Sequence, residues 1–132
     1  MATTCYRGRV HNVSGNCLIA SANAAAGYQI VPASAKRTIT VVDGWMRALG
    51  GNMTQATSMD LTDLTGTVAI SWALAALTTA HGILRFDAAN VTPTSIGLPL
   101  TEGEGLYLIT VGTDETTMTS FDYSIDYTIR AT

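Results

Sequence analysis

The chain has 132 residues, which suits one ordinary domain with a single hydrophobic core. Hydrophobic residues make up 47% of it and charged residues 13%, against a usual charged share of roughly 25%, and this excludes a disordered chain. No apolar run is long enough to span a bilayer, and the first residues lack the apolar segment of a signal peptide. We therefore expect a protein made in a cytoplasm, with Cys5 and Cys17 reduced.

Positive and negative charges are unevenly placed along the chain. Residues 1–42 carry four basic residues and no acid, whereas residues 43–132 carry three arginines and all ten acidic residues. A basic leading segment on an acidic body favours an arm that reaches a partner or a neighbouring copy. The alternative is that these few basic charges are simply solvated.

The first residues have the weakest pattern. Residues 6–11 alternate as a weak strand would, and residues 21–27 are small and typical of a linker. We place a soft boundary near residue 27. Residues 1–27 are predicted to be an N-terminal arm or first strand, and residues 28–132 to be the compact body.

Period-two alternation of apolar and polar residues recurs through the body and is typical of half-buried strands. A shift of the apolar phase near Asp43 and Gly44 predicts a bulge. The pattern of residues 59–64 fits either a strand or a loop. Trp45 and Trp72 lie in predicted strands and are assigned to the core. The predicted strands span residues 30–31, 38–49, 67–75, 84–87, 96–100, 106–111 and 119–130.

One of these strands has an alternative interpretation, and two others are predicted to pair with each other. Residues 72–77 also have good helix composition, but the alternation that begins at Val68 favours a strand. The polar connection 112–116 predicts that 106–111 and 119–130 form a hairpin. In the last strand, an acidic and small outer face opposes an apolar inner face.

Seven or eight short strands with turn signals between them are typical of an antiparallel β-sandwich. The predicted fold is all-β and jelly-roll-like, with an extended N-terminal arm. Strand order cannot be read from the sequence.

Motifs for catalysis or cofactor binding do not occur in the sequence. It contains neither a phosphate-binding glycine loop nor a nucleophile elbow. Cys5, Cys17, His11 and His81 match no zinc spacing, and His81 lies in a predicted turn, where a surface histidine is the usual case. We therefore expect no catalytic residue, no cofactor, no metal and no enzymatic activity.

Three pairs of acidic residues are close enough in sequence to consider acid–base catalysis. On one strand, Asp122 and Asp126 lie about 13 Å apart, whereas paired glycosidase carboxylates lie roughly 5 to 9.5 Å apart. We interpret all three pairs as solvated surface: Asp60 with Asp63, Glu102 with Glu104, and Asp122 with Asp126.

Two parts of the body resemble small β-sandwich proteins carried by tailed bacteriophages. Residues 28–51, Tyr-Gln-Ile-Val-Pro through Met-Arg-Ala-Leu-Gly-Gly, are similar to the opening of such proteins. Residues 97–113 and 116–127, with Gly-Leu-Pro-Leu-Thr-Glu-Gly-Glu-Gly and Phe-Asp-Tyr-Ser-Ile-Asp-Tyr, are similar to their ends. The similarity is one of style across residues 28–129, and residues 1–27 lie outside it.

The resemblance implies a capsid decoration (cement) protein or a related accessory virion protein. Such proteins commonly form trimers on the capsid lattice and reinforce joints between subunits of the major capsid protein. The implied partners are the major capsid protein of the same virus and further copies of this chain, and the implied location is the capsid surface of the virion. The expected capsid contacts are Tyr6, Arg7, Arg9 and His11, with an ordinary first strand as the alternative.

The sequence also bears on other partners and other functions. Nucleic acid is not expected as a partner, because the body is acidic and the basic segment lacks interleaved aromatics beyond Tyr6. No membrane partner is expected either. The alternative function is a phage tail, fibre or receptor-binding module that recognises a host surface glycan. A jelly-roll enzyme would need a cluster of histidine and glutamate that this sequence does not offer.

Overall fold

A computed structural model describes residues 9–65 and 67–131. Within these ranges no helix is both long and apolar enough to cross a membrane. The elements in chain order are β1 His11–Leu18, α1 Ile19–Asn23, β2 Tyr28–Val31, β3 Arg37–Leu49, β4 Ala56–Thr62, β5 Val68–Ala73, a 3₁₀ turn at Thr79–His81, β6 Leu84–Arg85, β7 Val91–Pro93, β8 Leu106–Gly112 and β9 Ser120–Ala131.

The strands form two antiparallel sheets that pack face to face as a sandwich. The strand order is β1-β9-β3-β6 in the four-stranded sheet and β2-β8-β4-β5-β7 in the five-stranded sheet. Pairing is nested, because β1 pairs with β9, β2 with β8, β3 with β6, and β4 with β5. The two halves of the chain thus run along each other as one wound ribbon, which is the jelly-roll arrangement, with β7 as an added edge strand. The predicted all-β, jelly-roll-like sandwich is confirmed.

The hairpin predicted between the last two strands is wrong. β8 lies between β2 and β4 in one sheet, while β9 lies between β1 and β3 in the other. Residues 113–119 therefore cross from sheet to sheet. Alternation in the sequence shows that a strand has one buried face. Either sheet of the sandwich can bury that face, so alternation does not tell which strand is the hydrogen-bonded neighbour.

The inward faces of both sheets build one core. In β9, the side chains of Phe121, Tyr123 and Ile125 are buried, and the intervening residues are only half-buried. Trp72 of β5 is fully buried, and its indole Nε1 donates to the carbonyl oxygen of Leu84 at 3.1 Å. The strand interpretation of this segment is correct over Val68–Ala73, because the alternation buries Trp72 in the sheet.

The chain joins the sandwich from His11 onward. β1 pairs with β9 over all eight of its residues, from His11 opposite Tyr127 to Leu18 opposite Ser120. Of the two alternatives for residues 1–27, a first strand is therefore what residues 11–18 form. The segment interpreted as a linker begins with the end of α1, where Ala22 is fully buried.

A bulge in β3 decides which side chains of its second half face the core. The register against β9 shifts between Val41 and Asp43, close to the position that the sequence predicts. Beyond the shift, Met46 and Ala48 are buried, whereas Trp45 is only partly buried on the opposite face. The core assignment of Trp45 is therefore wrong.

Residues 96–100 form no strand of their own. They run along the edge of β3, with an isolated bridge between Thr40 and Pro99. The backbone N–H groups of Gly97 and Leu100 each donate at 2.9 Å, to the carbonyl oxygens of Val41 and Ile39. This loop satisfies the backbone of β3 in a place that the two-residue strand β6 does not reach.

Candidate functional site

The outward side of the four-stranded sheet carries an array of mostly polar side chains, which we call the polar face. Its side chains alternate with the buried ones of β1, β9 and β3, and they lie in rows across the sheet. The polar face consists of Asn12, Ser14, Asn16, Asp43, Trp45, Arg47, Arg85, Ser120, Asp122, Ser124 and Asp126.

Two asparagines of β1 hold the acidic residues of β9 in place. The Asn12 amide donates to the Asp126 carboxylate at 2.7 Å and to the Ser124 hydroxyl at 2.8 Å. Four residues further along β1, the Asn16 amide donates to the Asp122 carboxylate at 3.0 Å. The polar side chains are therefore ordered by one another before any partner binds.

Asp122 is a carboxylate of the polar face that two neighbouring strands hold in place. It accepts hydrogen bonds from Asn16 and from the guanidinium of Arg47, which also forms an ion pair with it. The Asn16 amide first, and then Arg47, hold the pKa of Asp122 below its ordinary value. This carboxylate consequently stays ionised and acts as an acceptor near neutral pH.

Trp45 supplies the large aromatic group of the polar face. In the sheet it lies opposite the small residue Ser124 on one side and Arg85 on the other. The Arg85 guanidinium pairs with the Asp43 carboxylate at 3.0 Å. An aromatic ring beside small hydroxyls and fixed charges offers both apolar contact area and directed hydrogen bonds.

The expected capsid contacts are only partly covered by the structure. Tyr6 and Arg7 lie outside the described residues. Arg9 is exposed just before β1, and His11 begins β1, stacked on Tyr127 with ring centroids 5.5 Å apart. Arg9 is therefore accessible to a partner, while His11 packs within the sandwich.

Glu115 is fully buried in the connection between β8 and β9. Burial raises the pKa of this carboxyl, but its backbone donors, that of Gln55 foremost, outweigh burial and hold the pKa below the ordinary value. An ionised carboxylate thus ties the crossover to the start of β4. It accepts five hydrogen bonds, from the backbone N–H groups of Thr54, Gln55, Ala56, Thr117 and Met118.

Asp63 plays a similar part at the other end of β4. It is 1% exposed, so its assignment to solvated surface is wrong. Its carboxylate accepts from the Thr65 backbone at 2.9 Å and from the Thr101 backbone at 3.0 Å. Burial raises the pKa of Asp63, but the donors of Thr65 and Thr101 outweigh it, and the pKa lies below the ordinary value.

These two carboxyls predict how stability depends on pH. A folded-state pKa below the unfolded one contributes stability that is complete above the unfolded pKa and is lost as pH falls through the folded pKa. We expect the free energy of unfolding, measured by urea titration, to fall steadily from about pH 5 to about pH 2. Asp63→Asn should flatten this fall, whereas Glu102→Gln at an exposed turn should leave it unchanged. A stability that stays level over this interval would contradict the assignment.

The remaining titratable groups are dispersed. No group of three or more His, Cys, Asp or Glu residues able to hold a metal ion occurs in the described ranges. His81 is exposed in its 3₁₀ turn, with Nδ1 2.8 Å from the Ala76 carbonyl oxygen. Cys17 is a buried free thiol, and burial raises its pKa to about 11.

Sequence reasoning missed most of the polar face. The second half of β3 is apolar at Trp45 and Leu49 as well as at Met46 and Ala48, so hydrophobicity alone does not tell its two sides apart. Arg47 was the available signal, because a charged residue in register with Trp45 marks that side as the outer one.

Comparisons with known proteins leave the family open. No protein-family model matches the chain, and no curated protein matches it. Among solved structures, the chain is similar to one in the structure of infectious bursal disease virus Gt strain, with 19% sequence identity and a TM-score of 0.30. The alignment covers 98% of this chain and 35% of that chain, so this chain spans about a third of its length. A likeness of this degree identifies neither family nor function.

Proposed function

We propose that this chain is a non-enzymatic structural protein of a virus particle, a capsid decoration (cement) protein that binds the outer capsid surface and stabilises the shell. The observation that carries the proposal is the polar face, a broad surface whose side chains are ordered by mutual hydrogen bonds. Because they are ordered in advance, little side-chain entropy is lost when a partner surface docks.

Two further lines support this proposal. The jelly roll recurs in viral capsid proteins and in lectins, although a shared fold by itself is only an analogy. Residues 28–129 also resemble phage β-sandwich proteins in their style of sequence. The chemistry of such a protein is association alone, in which each weak contact is repeated over many equivalent sites of the capsid.

Trp45 is the expected anchor of the contact. Tryptophan and arginine are enriched among the residues that dominate binding energy, and Trp45 and Arg47 are neighbours on the polar face. Ion pairs of Arg47 and Arg85 at the edge of the contact would fix its orientation more than its strength. Arg9, exposed just ahead of β1, would be a further contact with the same partner.

Co-sedimentation tests the proposal. The full chain is mixed with capsids of its virus that lack it, and bound protein is quantified in the pellet. We expect saturable binding, a rise in the temperature at which the capsids break open, and a tenfold or greater loss of affinity in Trp45→Ala. Thr92→Ala, exposed on the opposite sheet, is the matched control and should bind normally. Capsids that fail to bind the chain, or that bind Trp45→Ala normally, would reject the proposal.

A receptor-binding module for host surface glycans is the second candidate, and Trp45 is the observation that favours it. A sugar ring stacks on an aromatic face while amides and carboxylates take its hydroxyls, and the polar face offers all three groups. Titration with host surface polysaccharide should then change the fluorescence of Trp45, with buried Trp72 silent. Binding of glycan without binding of capsid would put this candidate first.

A further inference from the structure

The free edge of β1 differs from the other sheet edges of the described chain. β1 runs for eight residues opposite β9 with no shift of register, and among residues 9–65 and 67–131 no strand pairs with its second side. Its sequence, His-Asn-Val-Ser-Gly-Asn-Cys-Leu, contains no Asp, Glu, Lys, Arg or Pro. An edge with these properties presents an ordered row of backbone donors and acceptors to another strand.

The other three edges carry the features that discourage strand addition. β6 has two residues, and the neighbouring length of β3 is covered by the loop of residues 97–103. β7 has three residues and ends in Pro93, which cannot donate to a ladder. β2 has four residues with a shift of register between Gln29 and Val31. Protection is therefore present at each edge except that of β1.

The sequence of β1 is also complementary to itself. Two copies that pair antiparallel about a two-fold axis at Ser14 place Asn12 of one copy opposite Asn16 of the other. The same register brings Val10 opposite Leu18, and these two apolar side chains are 49% and 61% exposed in the single chain. Apolar side chains that face each other across a strand pair contribute favourably, and no like charges meet in this register.

We propose that two copies of this chain associate through β1, edge to edge and antiparallel about Ser14, to form one continuous eight-stranded sheet. The occupant is a second copy because the register pairs Val10, just before β1, with Leu18 at its end, and both are exposed apolar residues. A strand-edge contact buries less surface than a standard interface, so the pair dissociates on dilution. This inference does not depend on the capsid proposal, and the pair differs from the trimer that the phage resemblance implies.

Sedimentation velocity of the full chain from micromolar to millimolar concentration tests the pairing. We expect reversible conversion to a species of twice the 13.9 kDa chain mass. Ser14→Lys places two lysines opposite each other at the two-fold axis and should weaken association about tenfold or more. Thr92→Lys makes the same change at an exposed position of the β7 edge and should associate as the wild type does.

A mixture of charge variants tests the register itself. Ser14→Lys and Ser14→Glu should each be monomeric alone and should form a one-to-one pair when mixed, which native mass spectrometry resolves when one of the two variants is labelled with ¹⁵N. Circular dichroism of each variant establishes that it is folded. A wild-type chain that stays monomeric at millimolar concentration, a trimer, or undiminished pairing of Ser14→Lys would overturn the proposal. Capsid binding by a chain that stays monomeric would leave the capsid proposal standing and reject this one.

Discussion

Replacing Glu115 by glutamine is expected to lower the free energy of unfolding by about 3 to 5 kcal/mol. The buried carboxylate accepts from five backbone N–H groups, and the amide that replaces it turns one acceptor into a donor aimed at those groups. Donors left without acceptors in a buried connection lose their hydrogen bonds with water and gain none in return. Urea or guanidinium unfolding monitored by circular dichroism measures the loss.

The adjacent Asp114 provides the control for this prediction. Asp114 is exposed, so Asp114→Asn removes one negative charge from the same connection without touching a buried hydrogen bond. Its effect should stay within about 0.5 kcal/mol. Equal effects of the two substitutions would show that net charge, and not the buried carboxylate, stabilises the crossover between the sheets.

Truncating Trp72 to alanine is expected to cost about 3 to 5 kcal/mol of unfolding free energy. The ring is fully buried among the inward side chains of both sheets, so its loss removes apolar contact and leaves a cavity. The Leu84 carbonyl oxygen also loses the indole donor. Denaturant unfolding of the two proteins side by side gives the difference.

Trp45→Ala is the matched comparison, because it removes the same type of side chain from the outward face of β3 instead of from the core. Trp45 is partly exposed and leaves no closed cavity behind, so its loss should cost about 1 kcal/mol or less. A large loss of stability in Trp45→Ala would mean that the ring serves packing, and it would remove the anchor from the proposed contact.

The polar face and the free edge of β1 are parts of the same sheet. Pairing through β1 would place the polar faces of two copies on the same side of one continuous sheet. When a pair of copies meets a repeating lattice, binding of the first copy raises the effective concentration of the second copy at its own site. Two weak contacts together would then give strong attachment. The capsid proposal and the pairing proposal are thus compatible, although each is tested by itself.

The sequence by itself determined the fold class and most of the strands. In β9, buried Phe121 and Ile125 alternate with half-buried Asp122, and this pattern needs no knowledge of the partner strand. The bulge of β3 was visible as well, because it changes which residues are apolar. Residues 12–18 of β1 were missed, because a strand at an open edge buries few side chains and shows little alternation; residues 6–8 of the weak strand predicted at 6–11 lie outside the described residues.

Only the tertiary structure decided which strands meet and which face of β3 is exposed. β8 and β9 are consecutive, yet the wound ribbon of the jelly roll places them in different sheets. The burial of Glu115 and Asp63 is not visible in the sequence, because part of the backbone that binds each carboxylate comes from a distant segment. Trp45 and Trp72 are the same type of residue, and both lie in strands predicted from the sequence. One inserted residue in the β3 bulge turns Trp45 to the outer face, whereas Trp72 occupies a buried position of β5 in the other sheet, so the candidate surface is apparent only in the packed sheets.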